Sequence, residues 1–548
     1  MGLFFYNVAR AMVSRTGCMR MNSGVEQLRM QYDEAPYASH PFPQSAPENL
    51  AAVAHLFGLR APPVATARVL ELGCSSGGNL VPVAARHPRA RLLGLDLSGV
   101  QVRQGNERIA AMGLANLELR EADLAQVGRD ELGEFDYIIC HGVYSWVPAE
   151  VQQAILRICS EHLSPEGVAY VSYNTYPGWK AKEIVRDAMM LRGNPRDTPA
   201  ERLSFARGMV DFLQQVARKG SVLATALEES APLLRTSQDY YLLHEYLEAF
   251  NAPCYFQQLI DRADAVGLSY LAEAEPSGMF VGNYGSEIAE PLLKECGHSQ
   301  VLLEQYLDFV VNRTFRQTLL VHKPRAADIR YRLDRARHAA FHFAANLPGH
   351  EAMRDDGRSQ SFGAEGKAQV ITTHMEVKRA VEALTAAWPA TLAHAEILAQ
   401  AVDGNDTAAA RTRVDDLLEF LITRGLVKYR LDPVEIEAAQ DPARPCIDEE
   451  VRRMAAASRN DADAGTFNGW HDAVLLNPVE RWLLPELDGT RDRQALVDSL
   501  VEHVAQKHVL LLREGQPLAD PRHIASTAAL HVDALLARLP EMKLQRGR

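Results

Sequence analysis

The stretch Val69-Leu70-Glu71-Leu72-Gly73-Cys74-Ser75-Ser76-Gly77-Gly78-Asn79 decides how this chain is read. An apolar strand runs into a glycine loop that opens a helix. Glycine lets the loop backbone approach a ligand with no Cβ in the way, and ligands of open α/β sheets bind at the carboxyl ends of the strands. The glycines fall at 73, 77 and 78, which is not the GxGxxG spelling that cradles a pyrophosphate. Two downstream acids extend the pattern. Asp96 closes the next apolar run, where a carboxylate can accept both hydroxyls of a ribose. Asp123, followed by Leu124, closes the third and is placed to accept from an adenine amino group. Acid, glycine loop, Asp and Asp at successive strand ends describe a nucleoside site without a phosphate cradle. The same loop also spells GxSxG through Gly73, Ser75 and Gly77, the nucleophile elbow of α/β-hydrolases. A triad would then need an Asp and a His at later strand ends, with His141 as the histidine at hand. No recognisable oxyanion loop precedes the motif, which makes the hydrolase the second reading.

Outward from this motif, apolar runs alternate with helical patterns from 68 to 179, the signature of βα units and a parallel sheet. The predicted strands are Arg68–Leu72, Arg91–Asp96, Leu117–Glu121, Phe135–Cys140 and Gly167–Tyr173; the helices between them include Asn79–Arg86, Gly99–Met112 and Glu150–His162. Residues 22–66 are expected to form an N-terminal arm or lid and 67–180 the ligand-binding core. In the arm, Pro36, Pro41 and Pro43 crowd out a regular helix, and Glu48–Leu59 reads as one. Residues 181–325 read as mainly helical, with Tyr255–Ala265 feeding a strand at Gly267–Leu271. Either the sheet is completed near 255–275 after a helical insertion, or a separate α-rich domain begins at 181. Residues 326–375 read as a linker. Residues 376–435 follow the helix, helix, helix, strand order of a winged helix, ending in Gly425–Arg430, and 445–548 form a second α-rich module.

The chain's 548 residues exceed the ~250–300 that one core supports, so several domains are expected. A net charge of −12 argues against bulk nucleic-acid binding, which wants a basic face. The winged-helix-like segment is no exception, because its third helix carries Asp415, Asp416 and Glu419. Seven dispersed cysteines with no CxxC point to reduced thiols, a cytoplasmic location and no structural zinc. No metal site is expected. No run reaches the ~18–20 apolar residues of a membrane helix, and Met1–Met21, with its arginines after its apolar residues, reverses the order of a secretory signal. Recognisable pattern begins only after Met21, which makes that residue a candidate start.

Glu71–Asn79, Asp96-Leu97-Ser98, Ala122-Asp123 and Phe135–Val143 together resemble class I S-adenosylmethionine methyltransferases. More narrowly, the chain resembles the bacterial, rickettsial-type protein-lysine methyltransferases that carry a methyltransferase regulatory domain. That likeness rests on Tyr32–Tyr37, His141–Pro148, Ser172–Trp179, His244–Leu247 and Asn312–Leu320. The resemblance implies an α/β fold: a Rossmann-like methyltransferase domain, a helical regulatory insertion and an α-rich, winged-helix-like C-terminal region. It implies S-adenosylmethionine as cofactor, held by Glu71, Gly73, Cys74, Ser75, Gly77, Gly78, Asn79, Asp96, Leu97, Ser98, Gln101, Asp123, Leu124, His141 and Gly142. Cys74 and Ser75 depart from the commoner GxGxG loop. A protein lysine is the implied acceptor, with a small molecule as the alternative, and a homodimer is among the expected assemblies.

A lysine nucleophile must be neutral, and desolvation in an aromatic channel lowers its pKa. Tyr144, Trp146 and Tyr173 follow strands four and five, where the acceptor should enter. Tyr32, Asp33 and Tyr37 are the expected lid, with Asp33 placed to pair with a lysine ammonium. Packing roles are the alternative for each. The His244–Tyr246 patch is expected to be a helix surface against the catalytic domain, or else a wall of the acceptor pocket.

Overall fold

A computed structural model describes residues 24–545, apart from 35, 36, 38, 193–197, 237, 238, 249, 365, 367, 403–406, 437–440, 442 and 514. Met1–Met21 and Pro36 lie outside the described residues. Helix α1 (Gly24–Glu34) and α2 (Pro47–Leu56) precede the catalytic sheet. Then come β1 (Arg68–Leu72), α3 (Val81–Arg86), β2 (Arg91–Asp96), α4 (Gly99–Ala111), β3 (Leu117–Glu121), β4 (Phe135–Cys140), α5 (Ala149–His162) and β5 (Leu163–Asn174). β1, β2 and β4 are buried along nearly their whole length, as strands covered by helices on both faces must be. That burial is why their apolar runs are almost continuous.

Four helices follow: α6 (Trp179–Arg192), α7 (Pro199–Val216), α8 (Val222–Thr236) and α9 (Asp239–Tyr246). They close on a small core of their own, including Val185, Leu203, Leu227 and Leu242. The chain then returns through α10 (Phe256–Ala265), β6 (Leu268–Glu273), α11 (Ser286–Cys296), α12 (Gln300–Val310) and β7 (Phe315–His322). The single seven-stranded sheet has the order β3-β2-β1-β4-β5-β7-β6. β7 inserts antiparallel between β5 and β6. The helices α6–α9 are therefore an insertion, and the sheet is completed beyond them. β7 is held by a buried charge cluster. Arg316 donates to Glu273 at 2.7 Å, to Asp308 at 2.8 Å and to Glu304 at 3.1 Å, and its guanidinium lies 3.9 Å from the Phe256 ring.

The stretch read as a linker, 326–375, is instead built into the fold. It supplies β8 (His342–Ala344) and the pair β9 (Gln360–Phe362) and β10 (Val370–Thr372), with Phe341, Phe343 and Leu347 buried. Its polar, glycine-rich surface hid those anchors. After α13 (Met375–Ala387), β11 (Leu392–Ala393), α14 (His394–Val402), α15 (Ala408–Arg424) and β12 (Lys428–Arg430), a small sheet forms in the order β11-β8-β12. The acids of α15 are spent internally: Asp416 and Glu419 on Arg335, Asp415 on His394. The last module runs through α16 (Glu449–Ser458), β13 (Gly465–Phe467), β14 (Ala473–Leu475), α17 (Glu480–Leu483), α18 (Arg493–Ala505), β15 (Leu512–Arg513), β16 (Gln516–Pro517) and α19 (Pro521–Arg538). Its core is continuous with that of the catalytic sheet. No helix among the described residues is long and apolar enough to cross a membrane.

Candidate active site

A cavity of about 320 Å³ opens at the carboxyl ends of β1, β2, β4 and β5. Its inner end is the acid–glycine loop. Glu71 is 3% exposed, and its Oε1 accepts from Asn79 Nδ2 at 2.8 Å while Oε2 has no partner among the described residues. Burial, opposed by the Asn79 bond and reinforced by Asp96, pushes the Glu71 carboxyl up to about 8. At the end of β2, Asp96 accepts backbone N–H groups from Ser75 at 2.7 Å and Ser98 at 2.9 Å. Burial raises its pKa and those N–H bonds oppose the rise. Asp123 Oδ1 caps the turn that follows by accepting from Ala125 N–H at 2.9 Å, and Asp123 and Leu124 both line the cavity.

The loop residues divide. Gly73, Cys74, Ser75 and Asn79 line the cavity, as do Leu97, Gln101, His141 and Gly142. Gly77, Gly78 and Ser98, also read as cofactor contacts, do not line it. Gly77 holds a positive φ of 76° in the turn and packs on Leu119. Gly78 is small because the N-terminal arm crosses it: a Cβ there would lie 2.1 Å from Ser39 O, and its N–H donates to Ser39 Oγ at 2.8 Å. Ser98 is buried as the N-cap of α4 and donates to Asp33 at 2.6 Å. Asp33 therefore fastens α1 to the core and does not line the cavity, so it is not placed to meet an acceptor ammonium. Tyr32 and Tyr37 do line the cavity. The arm adds residues that the sequence reading missed, above all Phe42, whose ring lies 3.8 Å from that of His141. Burial lowers His141 to about 4, and its Nδ1 bonds Tyr170 OH at 2.8 Å.

Ser75 carries φ +53°, as an elbow residue would, but its hydroxyl donates to Gln101 Oε1 and also reaches Tyr37 O. His141 is engaged with Tyr170, so no Ser–His pair exists here among the described residues. The nucleophile reading of Ser75 fails on its partners.

The outer end of the cavity is aromatic. Trp146, Trp179 and Phe315 line it together with Asn174, Lys182 and Glu245. The Trp146 and Trp179 rings meet edge to face at 6.2 Å. Lys182 Nζ lies 4.4 Å from the Trp179 ring centroid and 3.8 Å from Glu245 Oε1. Burial pushes Glu245 up to about 7 against the pull of Lys182, and burial lowers Lys182 against the pull of Glu245. Tyr144 and Tyr173, read as channel walls, turn the other way. Tyr144 is fully buried with its OH near Arg262 Nη1 at 3.3 Å, and Tyr173 is 1% exposed with its OH on Thr318 Oγ1. They pack the sheet under the site. Of the patch 244–246, Glu245 is the wall residue.

Behind the inner end runs a buried polar chain contributed by the last module. His471 Nε2 donates to Asn79 Oδ1 at 2.9 Å, and its Nδ1 accepts from Arg86 Nη2 at 3.2 Å. Burial, then Arg86, lowers His471 to about 3, so it is neutral with its proton on Nε2. Arg86 in turn donates to Glu48 at 2.7 Å. Arg108–Asp461 at 2.7 Å and His40–Asp463 at 3.5 Å hold the same module against the core. Among the described residues no group of three or more His, Cys, Asp or Glu could hold a metal ion.

Residues 69–167 match a methyltransferase domain model, 238–322 a predicted methyltransferase regulatory domain, and 444–544 the PKMT C-terminal winged helix domain. The sheet, its inner acids and these matches define an S-adenosylmethionine-dependent methyltransferase of class I. The chain is 30% identical over 501 residues to the uncharacterized protein RP789 of Rickettsia prowazekii, covering 90% of this chain and 89% of that one. It is 37% identical over 236 residues to RP028 of the same organism, covering 43% and 94%. The solved structure of PKMT2 from Rickettsia typhi superposes with a TM-score of 0.80 at 28% identity, covering 93% of this chain and all of the other, and PKMT2 has also been solved with AdoHcy. The chain belongs to the rickettsial-type protein-lysine methyltransferase family with the methyltransferase regulatory domain. The regulatory model includes the strands β6 and β7 of the catalytic sheet, and the winged-helix model falls on the last module, while the order read as winged-helix-like lies before it. S-adenosylmethionine is the cofactor, and the chain's residues fit it: the buried Glu71 Oε2, without a partner among the described residues, is suited to a cationic donor.

Proposed function

We propose that this chain transfers a methyl group from S-adenosylmethionine to lysine side chains of a protein. In this reading Asp96 takes the ribose hydroxyls, Asp123 the adenine amino group beside Leu124, and Glu71 the ammonium of the methionine portion. The cofactor supplies a methyl group activated on a sulfonium. Displacement at that carbon is in line, so the chain's task is to position the acceptor nitrogen and keep it unprotonated. The observation that carries the acceptor is the outer end of the cavity, where Trp179 and Glu245 hold a lysine ammonium, that of Lys182, with Trp146 packed edge-on against Trp179. Burial there favours the neutral amine, Glu245 near 7 accepts its proton, and the indole faces attract the methylammonium that results. His141, neutral near 4, is a poor base and serves as a wall stacked on Phe42. The name PKMT, carried by the Rickettsia typhi relative and by the winged-helix model, supports a protein acceptor.

Incubation of the protein with methyl-labelled cofactor and host-cell lysate tests this. Label should appear in protein bands; label confined to a small-molecule extract would replace the reading with a biosynthetic methyltransferase.

A further inference from the structure

Lys182 is the one lysine that lines the cavity among the described residues. The chain holds 10 lysines against 48 arginines, so a lysine here, where arginine would pair with Glu245 equally well, runs against its own usage. The side chain is gripped as an acceptor would be. Its ammonium lies 4.4 Å from the Trp179 ring and 3.8 Å from Glu245, and the indole of Trp146 closes edge-on behind. Glu71 and Asp96 line the same cavity. Lys180, one half-turn away, is a built-in comparison: its ammonium sits over Tyr176 at 3.7 Å, it is 56% exposed, and it does not line the cavity.

We infer that Lys182 is itself a methyl acceptor, so that the enzyme methylates its own active-site lysine in cis. The inference rests on the lysine reading given above. Glu245 takes a proton from the Lys182 ammonium, and the freed lone pair on Nζ attacks the methyl carbon of S-adenosylmethionine. The N–C bond forms as the C–S bond breaks, and its electron pair stays on sulfur, giving AdoHcy. The product is an Nζ-methylammonium, and the proton on Glu245 passes to water. Glu245 is the charged group facing Lys182, and Lys182 the one facing Glu245; the nearby Tyr246 phenol also feels the Glu245 charge. Methylation leaves the positive charge in place, so the contact with Trp179 persists in the product. A methylated Lys182 would change the shape of the outer cavity and so the fit of the next acceptor.

The full-length protein, incubated with S-adenosylmethionine alone and analysed by peptide mass spectrometry, tests the inference. The expected result is a methyl increment on Lys182 and none on Lys180, at a rate per molecule independent of protein concentration. K182R should abolish it. E245Q should slow it about tenfold at pH 7 and recover as pH rises, because solvent then removes the proton; a merely structural loss would not recover. A readout without cofactor is pulse labelling with an amine-reactive acetylating reagent, in which Lys182 should react at lower pH than an ordinary lysine. Unmodified Lys182 alongside methylated lysines in an added protein would overturn the inference and leave the lysine reading standing. No methylated lysine anywhere, with cofactor bound, would overturn both.

Discussion

With Glu71 in the proposed role, cofactor binding should be a proton-coupled event. Its carboxyl, buried and pushed up to about 8, is protonated in the cofactor-free protein at neutral pH. A cationic methionine ammonium beside Oε2 favours the ionised form, so binding should expel the proton. From pH 5.5 to 7 the ionised fraction of such a group rises from about 0.3% to about 9%. Affinity for S-adenosylmethionine should therefore strengthen about thirtyfold across that window. The groups facing Glu71 are Asn79, which holds its other oxygen, and Asp96, whose own carboxyl burial also raises. Titration calorimetry in buffers of different ionisation heat should count close to one proton released per cofactor at pH 7. E71Q should bind more weakly at pH 7 and lose most of the pH dependence; any slope that persists belongs to Asp96. The stability of the cofactor-free protein should run the other way. The unfolded chain releases this proton near 4.5 and the folded one near 8, so stability from this group is present below 4.5 and lost as pH rises toward 8. Affinity independent of pH, with no proton released, would refute the role given to Glu71.

Other perturbations follow from the same geometry. H471A removes the donor to Asn79 and the acceptor for Arg86, at a cost of about 1–2 kcal/mol; calorimetry should show cofactor affinity about tenfold weaker, whereas unchanged affinity would cut the last module out of the site. G78A drives a Cβ into the Ser39 carbonyl, so the arm should detach, and faster amide exchange at residues 39–45 is the expected signature. W146A should leave cofactor affinity near wild type while lowering turnover at least tenfold. R316M strands Glu273 and Glu304 without their cation while Asp308 keeps Arg313, and chemical denaturation should register a loss of about 3–5 kcal/mol.

Much of the fold was legible because β1, β2, β3 and β4 are marked at both ends by abrupt changes of polarity, and their bounds match those read from the sequence. β7 was not. Arg316 and Gln317 interrupt its apolar pattern, and the charge that disguises the strand is what buries it, through the Glu273–Glu304–Asp308 cluster. In the site, strand-end position was enough to put Glu71, Asp96 and Asp123 on the cavity. It could not give direction: Tyr144 and Trp146 share one turn, yet one packs under the sheet and the other faces the cavity. Glycine also proved ambiguous, since Gly78 yields to the arm and not to a ligand. His471 had no local signal at all, being 392 residues from the Asn79 it supports.

In the proposed reaction the nitrogen of a protein lysine receives the methyl group. The most direct measurement presents one lysine-bearing protein in two forms, native and with its amines blocked by acetylation, together with methyl-labelled S-adenosylmethionine. Label should appear in the native form, recovered as methyllysine after acid hydrolysis, and none in the blocked form. Equal labelling of both forms would contradict it.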